Sequence, residues 1–193
     1  MQGHTLVAAA AAPTENVVRR IRVDQLNAPT PCSEFAVRDL VNHLLFWGPA
    51  LEGAGRKEPV APTGPDERSV DLSRDDWAAA LESQIDRIVE AWGDQRAWEG
   101  TTRFGSPEEV PASMIGGMAC TELVLHGWDL ARATGQEPDW GEEVAAFVDR
   151  ELTRTAAQGR EMGIYGPAVA VPDTATTLER ALGLSGRDPR RAP

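Results

Sequence analysis

The amino-acid sequence predicts an all-α protein whose helices pack as a bundle. Four or five amphipathic segments of about 15 to 24 residues repeat their apolar side chains at helical spacing. Alternating strand patterns are almost absent, and stretches rich in Gly and Pro separate the segments. Without a sheet to pack on, the apolar stripe of each helix can be buried only against other helices, which favours a helical bundle.

The first two predicted helices lie in the N-terminal third of the chain. Apolar residues recur at helical spacing over residues 6–26, and Pro13 is expected to kink or restart this helix. Its apolar stripe comprises Val17, Val18, Ile21, Val23 and Leu26. The second helix is predicted over residues 37–52. Residues 53–71 are rich in Gly, Pro and charged side chains, which predicts an exposed loop that could be mobile.

Three further helices and a short helical patch complete the predicted fold. The third helix is expected over residues 73–92, with Ser73 as its N-cap, and residues 97–109 predict a short hairpin or an irregular crossover. The remaining helical segments are residues 111–134, ending at a Gly135 C-cap, residues 140–162 and the patch at residues 176–182. We expect residues 1–165 to form the bundle and residues 166–193 to form a tail that packs on the bundle or trails from it.

Composition excludes several classes of partner. The chain has 193 residues, enough for one domain with a core that needs no disulfides. Its net charge of −11 would repel nucleic acid and anionic membranes, and no stretch has the length of apolar sequence that spans a bilayer. The two cysteines, Cys32 and Cys120, match no zinc-finger spacing and are expected to be inert buried thiols. These features predict a cytoplasmic protein.

Three side chains on two predicted helices form a candidate site for a divalent metal. Glu122 and His126 are four residues apart, so they lie on one face of the fourth helix. His43 borders the apolar face of the second helix. Two imidazoles and a carboxylate from facing helices can bind a divalent transition metal and leave coordination positions open. Alternatively, each histidine is a hydrogen-bonded core residue and Glu122 is an exposed or ion-paired charge.

Two aspartates lie one helical turn from the candidate histidine ligands. Asp39 precedes His43, and Asp129 follows His126, so each could accept a hydrogen bond from the ring nitrogen that does not face the metal. The alternative, which the sequence favours, is that Asp39 stabilises the first turn of its helix and Asp129 pairs with Arg132.

Two of the six tryptophans lie close to the candidate ligands in sequence. Trp47 and Trp128 are predicted to form walls of an apolar pocket that binds a cofactor, with ordinary core packing as the alternative.

Three sequence blocks carry a resemblance to a known family. They are residues 30–43 (TPCSEFAVRDLVNH), residues 122–135 (ELVLHGWDLARATG) and residues 183–189 (GLSGRDP). In these blocks the chain resembles the actinobacterial branch of the DinB-like helical bundles, the group that includes the mycothiol-dependent maleylpyruvate isomerase metal-binding domain. The resemblance implies a DinB-like four-helix bundle with a long crossover, accompanied here by a short extra helix or tail.

The resemblance also implies a function. The metal ligands of the family fall on His43, Glu122 and His126, with zinc as the usual ion and nickel or iron as alternatives. Members with known activity bind a low-molecular-weight thiol such as mycothiol as the thiolate, for isomerisation or S-transfer. A metal-bound thiol is deprotonated and ready to attack an electrophilic carbon. The implied partners are therefore a small-molecule thiol and an electrophile, and a homodimer is left open.

Two departures from the family limit this transfer. The maleylpyruvate isomerases carry a further α/β domain after the bundle, whereas only a short tail follows the predicted bundle in this sequence. We therefore do not expect maleylpyruvate to be the substrate. Ala36 stands where a Ser or Thr helix cap is expected, and Phe35 stands where Trp is common.

The non-enzymatic alternative is a small-molecule-binding or stress-related bundle in which the metal is structural or vestigial.

Overall fold

A computed structural model describes residues 3–58 and 60–190, and it is dominated by helices. Residues at both ends of the predicted bundle and tail, 1–2 and 191–193, lie outside the described residues, as does residue 59 of the predicted loop. The six α-helices are α1 Val7–Val18, α2 Val37–Arg56, α3 Trp77–Trp92, α4 Ala112–Thr134, α5 Gly141–Glu161 and α6 Thr177–Leu184. The two strands are β1 Thr101–Arg103 and β2 Glu109–Pro111, which pair as an antiparallel hairpin. This confirms the predicted all-α fold class.

Helices α1 to α4 form a four-helix bundle. Helix α1 packs against α3 and α4, and α2 also packs against α3 and α4. Consecutive helices α1 and α2 therefore occupy diagonally opposite corners, as do α3 and α4. The connections across these diagonals are the long crossovers that the fold class predicts, and the second of them contains the β1–β2 hairpin. Helix α5 packs on α4, and α6 packs on α5.

Local sequence explains where several helices begin and end. The Asp39 carboxylate accepts a hydrogen bond from the Ala36 backbone N–H at 2.8 Å, which is the half of a capping box that does not need a Ser or Thr at position 36. Helix α4 ends at Gly135, whose φ of 72° is in the left-handed region that glycine adopts without strain. At α6, Thr176 and Glu179 form a reciprocal capping box.

Two predicted boundaries are wrong. Helix α1 contains Pro13 without interruption but ends at Val18, and Val23, predicted to lie in its apolar stripe, is 78 % exposed. Helix α3 begins at Trp77 rather than Ser73. The Ser73 hydroxyl and backbone N–H both donate to the Asp71 carboxylate, so this serine belongs to a turn before the helix and cannot cap it.

The loop predicted over residues 53–71 starts later than expected, and most of its described residues after α2 are exposed, as predicted. Helix α2 continues to Arg56, and residues Glu67–Ser69 form a short 3-10 turn. Asn42 of α2 holds this turn, because its side chain donates to the Glu67 carbonyl and accepts from the Leu72 N–H. Asn42 therefore anchors this part of the connection to α2, and the Glu67 side chain is turned toward His43.

No helix among the described residues is both long enough and apolar enough to cross a membrane.

Candidate metal centre

The structure brings together the three predicted metal ligands. His43 projects from α2, while Glu122 and His126 project from α4 one turn apart. One carboxylate oxygen of Glu122, Oε2, lies 3.3 Å from Nε2 of His43 and 3.3 Å from Nε2 of His126. One donor atom from each residue lies within 4.8 Å of the other two. Helical spacing supplies the pair on α4, and packing of α2 against α4 supplies the third donor.

Each imidazole has a second carboxylate on its opposite nitrogen. Nδ1 of His43 lies 3.1 Å from Oε1 of Glu67, and Nδ1 of His126 lies 3.1 Å from Oδ2 of Asp129. A carboxylate that accepts a hydrogen bond from Nδ1–H keeps the proton on Nδ1. The lone pair on Nε2 is then available to a metal ion. Both rings therefore turn Nε2 toward the same point, as metal-ligating histidines do.

Glu67 was not identified from the sequence as a residue of this site. It follows His43 by 24 residues, in an irregular segment where no periodicity indicates which way a side chain points. Its second oxygen accepts a hydrogen bond from the Trp47 indole N–H at 3.0 Å. Glu67 thus joins a candidate ligand and a predicted pocket residue of the same helix. Abundant charge around residues 53–71 was the only signal in the sequence.

Asp129 takes the role that the sequence did not favour. Its side chain is fully buried, and the Arg187 guanidinium donates to both carboxylate oxygens, with Nε at 2.9 Å from Oδ1 and Nη2 at 2.6 Å from Oδ2. The guanidinium that the structure places on Asp129 is that of Arg187 and not the predicted one of Arg132, which lies 5.9 Å from the Trp128 ring centroid. Arg187 comes from the C-terminal tail, and no spacing rule connects it with Asp129, 58 residues earlier.

Electrostatics in the cluster favour charged carboxylates and protonated imidazoles. Burial alone lowers the pKa of His43, but hydrogen bonds with Glu122 and Glu67 outweigh this effect and raise the pKa to about 10. His126 shifts in the same direction, because Glu122 and Asp129 outweigh its burial and raise its pKa. Burial raises the pKa of Glu122, yet the two histidines hold it well below its ordinary value. The cluster therefore competes with protons for any metal ion.

The same cluster has a chemistry that fits a divalent cation. Two imidazole nitrogens and one carboxylate oxygen converge, which is a common donor set for zinc, iron and nickel. Glu67 and Asp129 add two carboxylates, and the Arg187 guanidinium is bonded to Asp129. With neutral imidazoles the cluster has an excess of negative charge, which a divalent cation would neutralise.

The predicted pocket tryptophans lie in different surroundings. Trp47 lines a small apolar cavity beside His43 and Glu122, whose other walls come from α2, α3 and α4. Trp128 is buried in the hydrophobic core and is not among the residues that line this cavity. The role predicted for Trp128 in cofactor binding stays a prediction.

The two cysteines differ in burial. Cys120 is fully buried, and burial raises the pKa of its thiol to about 12. Cys32 is half-buried, and its pKa is raised to about 11, mainly by burial and then by the charge of Asp129. Both thiols are therefore protonated at neutral pH, which makes them poor nucleophiles.

Comparison with solved structures identifies the fold. The crystal structure of the mycothiol-dependent maleylpyruvate isomerase matches with a TM-score of 0.60, and that of a histidine-to-alanine mutant of the same enzyme matches with 0.61. Each match covers 81 % of this chain and 71 % of the other, at 18 % sequence identity. At this identity the similarity establishes the DinB-like fold.

Sequence comparison extends this relationship. Two uncharacterized proteins of Mycobacterium tuberculosis, from two strains, are each 34 % identical to this chain over 144 residues, covering 74 % of it and 72 % of the relative. The family described as the mycothiol maleylpyruvate isomerase N-terminal domain matches residues 7–131, a range that includes all three candidate ligands. The chain therefore belongs to the mycothiol maleylpyruvate isomerase N-terminal domain family.

Proposed function

We propose that this protein binds a divalent metal ion, most simply zinc, and uses it to bind mycothiol or a related thiol for S-transfer or isomerisation. One observation carries the proposal: both imidazoles turn Nε2 toward one oxygen of Glu122 while their Nδ1 atoms are engaged by other carboxylates. Membership of a family named for a mycothiol-dependent isomerase supports the choice of thiol.

The chain's own residues would prepare the site in three ways. Glu67 and Asp129 would accept hydrogen bonds from the Nδ1–H groups, so that each neutral imidazole offers its Nε2 lone pair to the metal. Glu122 supplies a charged oxygen between the two rings. When bound, the metal ion supplies the positive charge that lowers the pKa of a coordinating thiol. Trp47 stands beside the ligands and is our candidate for an apolar contact with the bound thiol.

Metal binding is tested first. Untagged protein, His126→Ala and His4→Ala are purified and analysed by plasma mass spectrometry, with His4→Ala as the control because it removes a histidine outside the cluster. We expect stoichiometric zinc, nickel or iron in the wild type and in His4→Ala, and loss of the metal in His126→Ala. Metal-free wild-type protein that also takes up no added divalent ion would overturn the proposal.

Thiol binding is tested on cobalt-substituted protein. Titration with mycothiol should produce a thiolate-to-cobalt charge-transfer band in the near ultraviolet, and the desulfurised analogue should not. Trp47→Phe should weaken the titration while leaving the cobalt content unchanged. A metal-loaded protein that gives no band with any thiol would reject the thiol-dependent function and keep metal binding.

A second candidate, the non-enzymatic bundle with a structural metal, is supported by the size of the adjoining cavity. The cavity beside His43 and Glu122 has a volume of about 20 Å³, roughly the space that one water molecule needs. A thiol could enter this cavity beside Trp47 only if the cavity walls moved apart. Under this alternative, the metal raises the unfolding temperature and the thiol titration gives no band.

A further inference from the structure

We infer that Glu67 is a positioning residue for His43: its carboxylate fixes the ring orientation and the tautomer that present Nε2 to the metal. The inference rests on the proposed metal binding and deepens it, because it assigns part of the metal affinity to the connection between α2 and α3. Glu67 lies in a segment outside the two helices that carry the candidate ligands.

Both oxygens of Glu67 are engaged by ring N–H groups of α2. Oε1 lies 3.1 Å from Nδ1 of His43, and Oε2 accepts from Nε1 of Trp47 at 3.0 Å. The carboxylate thus bridges two rings that project from α2 one turn apart. A rotation that brought Glu67 to the metal side of His43 would break both hydrogen bonds, which argues for a supporting role rather than a fourth ligand.

The backbone around Glu67 is held by the same helix. Asn42 donates to the Glu67 carbonyl at 3.0 Å and accepts from the Leu72 N–H at 2.8 Å. The Thr63 N–H donates to the Phe46 carbonyl at 3.0 Å. Helix α2 therefore carries the ligand and also the groups that anchor the residue behind it, so the distance between Glu67 and His43 does not depend on packing between helices.

The charge of Glu67 matters as well as its shape. A carboxylate that accepts a hydrogen bond from Nδ1–H makes the imidazole a stronger electron-pair donor at Nε2. Removing such a partner typically weakens metal binding about 10- to 100-fold. Both oxygens of Glu67 face ring nitrogens of α2, an arrangement that suits an acceptor-only carboxylate.

The test compares two variants that differ only in this charge. In Glu67→Gln alone, the amide N–H₂ would face the Trp47 N–H, and two donors would oppose each other. Trp47→Phe removes that conflict, so the informative pair is Trp47→Phe against Trp47→Phe/Glu67→Gln. Zinc affinity is measured by competition with a chromophoric chelator, and the visible spectrum of the cobalt-loaded protein reports the ligand field at the metal.

We expect the double variant to bind zinc about 10- to 100-fold more weakly than Trp47→Phe and to shift the cobalt d–d bands. A purely structural role would lower the unfolding temperature but leave the cobalt spectrum unchanged. Glu34→Gln is the matched control. Glu34 lines the same surface cleft as Glu67 but does not contact His43, and its substitution also removes one negative charge. Its zinc affinity should equal that of the wild type.

The outcomes separate this inference from the proposed function. Equal zinc affinity and identical cobalt spectra within the pair, in a wild-type protein that binds metal, would overturn the role of Glu67 and leave metal binding intact. A wild-type protein that binds no metal would overturn both. If the double variant does not fold, the Glu67→Gln single variant is compared with the wild type, and an unchanged cobalt spectrum there would also overturn the inference.

Discussion

The two imidazoles of the candidate metal centre are supported by different parts of the molecule. His126 leans on Asp129 of its own helix, which is fully buried and held by a nearly buried Arg187. His43 leans on Glu67, which is 23 % exposed and comes from a connection outside the bundle. Similar hydrogen-bond lengths of 3.1 Å thus hide a large difference in desolvation. We call His126, Asp129 and Arg187 the helix side of the centre, and His43 and Glu67 its loop side. The helix side is expected to contribute more to the free energy of unfolding, and the loop side to orient its imidazole at smaller energetic cost.

Removing the Arg187 guanidinium should have the largest effect on the free energy of unfolding. Arg187→Met would leave the buried Asp129 carboxylate without its cationic partner, and breaking a buried pair in this way costs about 3–5 kcal/mol. The free energy of unfolding of metal-free protein, measured in urea, should fall by that amount. Asp129→Asn/Arg187→Met should recover part of the loss, because position 129 then carries no buried charge that needs the guanidinium. A loss in Arg187→Met below about 1 kcal/mol, within the range of an exposed ion pair, would contradict the comparison.

The pH dependence of metal-free protein separates the two sides next. The folded-state pKa of His43 is raised from 6.5 to about 10, so its contribution to stability is fully present below pH 6.5 and is lost as the pH rises to about 10. We expect a decline of up to about 5 kcal/mol over that window. In Glu67→Gln the decline should be shallower, since one of the two carboxylates that stabilise the charged His43 is gone. Equal slopes in urea titrations would show that Glu67 does not support His43.

At the acidic end the carboxylates take over. The pKa values of Glu122 and Glu67 are lowered in the folded protein, so their stabilising contribution is present above their ordinary pKa and is lost as the pH falls below it. Metal-free protein should therefore be most stable in weakly acidic to neutral solution.

Glu67→Gln should have a modest effect on stability at neutral pH. The substitution keeps the shape of the side chain but loses the hydrogen bond from the Trp47 N–H at a partly exposed group, so we expect a loss of about 1 kcal/mol. The measurement is the urea midpoint of metal-free protein. A loss as large as that of Arg187→Met would mean that the loop side is as structurally demanding as the helix side.

Glu34→Gln sets the baseline of the series. Glu34 is 79 % exposed, and its nearest ion-pair contact, with Arg68, spans 3.9 Å. Exposed pairs of this kind contribute little, so the change in unfolding free energy should stay within about 0.5 kcal/mol. A larger effect would indicate that charge in the cleft, rather than contact with His43, controls the loop side.

Helical periodicity was enough to predict the helices and the three candidate ligands. Glu122 and His126 are one turn apart, so their proximity follows from the helix itself, and His43 lies at the buried edge of α2. The partners of the imidazoles were harder to find. Asp129 was considered but paired with Arg132, because spacing along a helix cannot reveal a competing partner from the distant tail.

Glu67 and the start of α3 illustrate a second limit. Irregular backbone has no repeat that relates sequence position to side-chain direction, so the inward turn of Glu67 depends on the Asn42 anchor that only the folded chain supplies. Ser73 has the residue type of a helix cap, yet Asp71 captures both its N–H and its hydroxyl. Local competition for hydrogen bonds decided both cases.

The Asp129–Arg187 pair also orders events during biosynthesis. The ribosome makes Asp129 58 residues before Arg187, so α4 emerges with a carboxylate whose partner does not yet exist. Until Arg187 is synthesised, burying Asp129 is unfavourable and this end of the bundle should stay hydrated. A nascent chain thus completes the support of His126 only after Arg187 has been made. Ribosome-bound chains stalled before and after Arg187 should accordingly differ in their resistance to protease around α4.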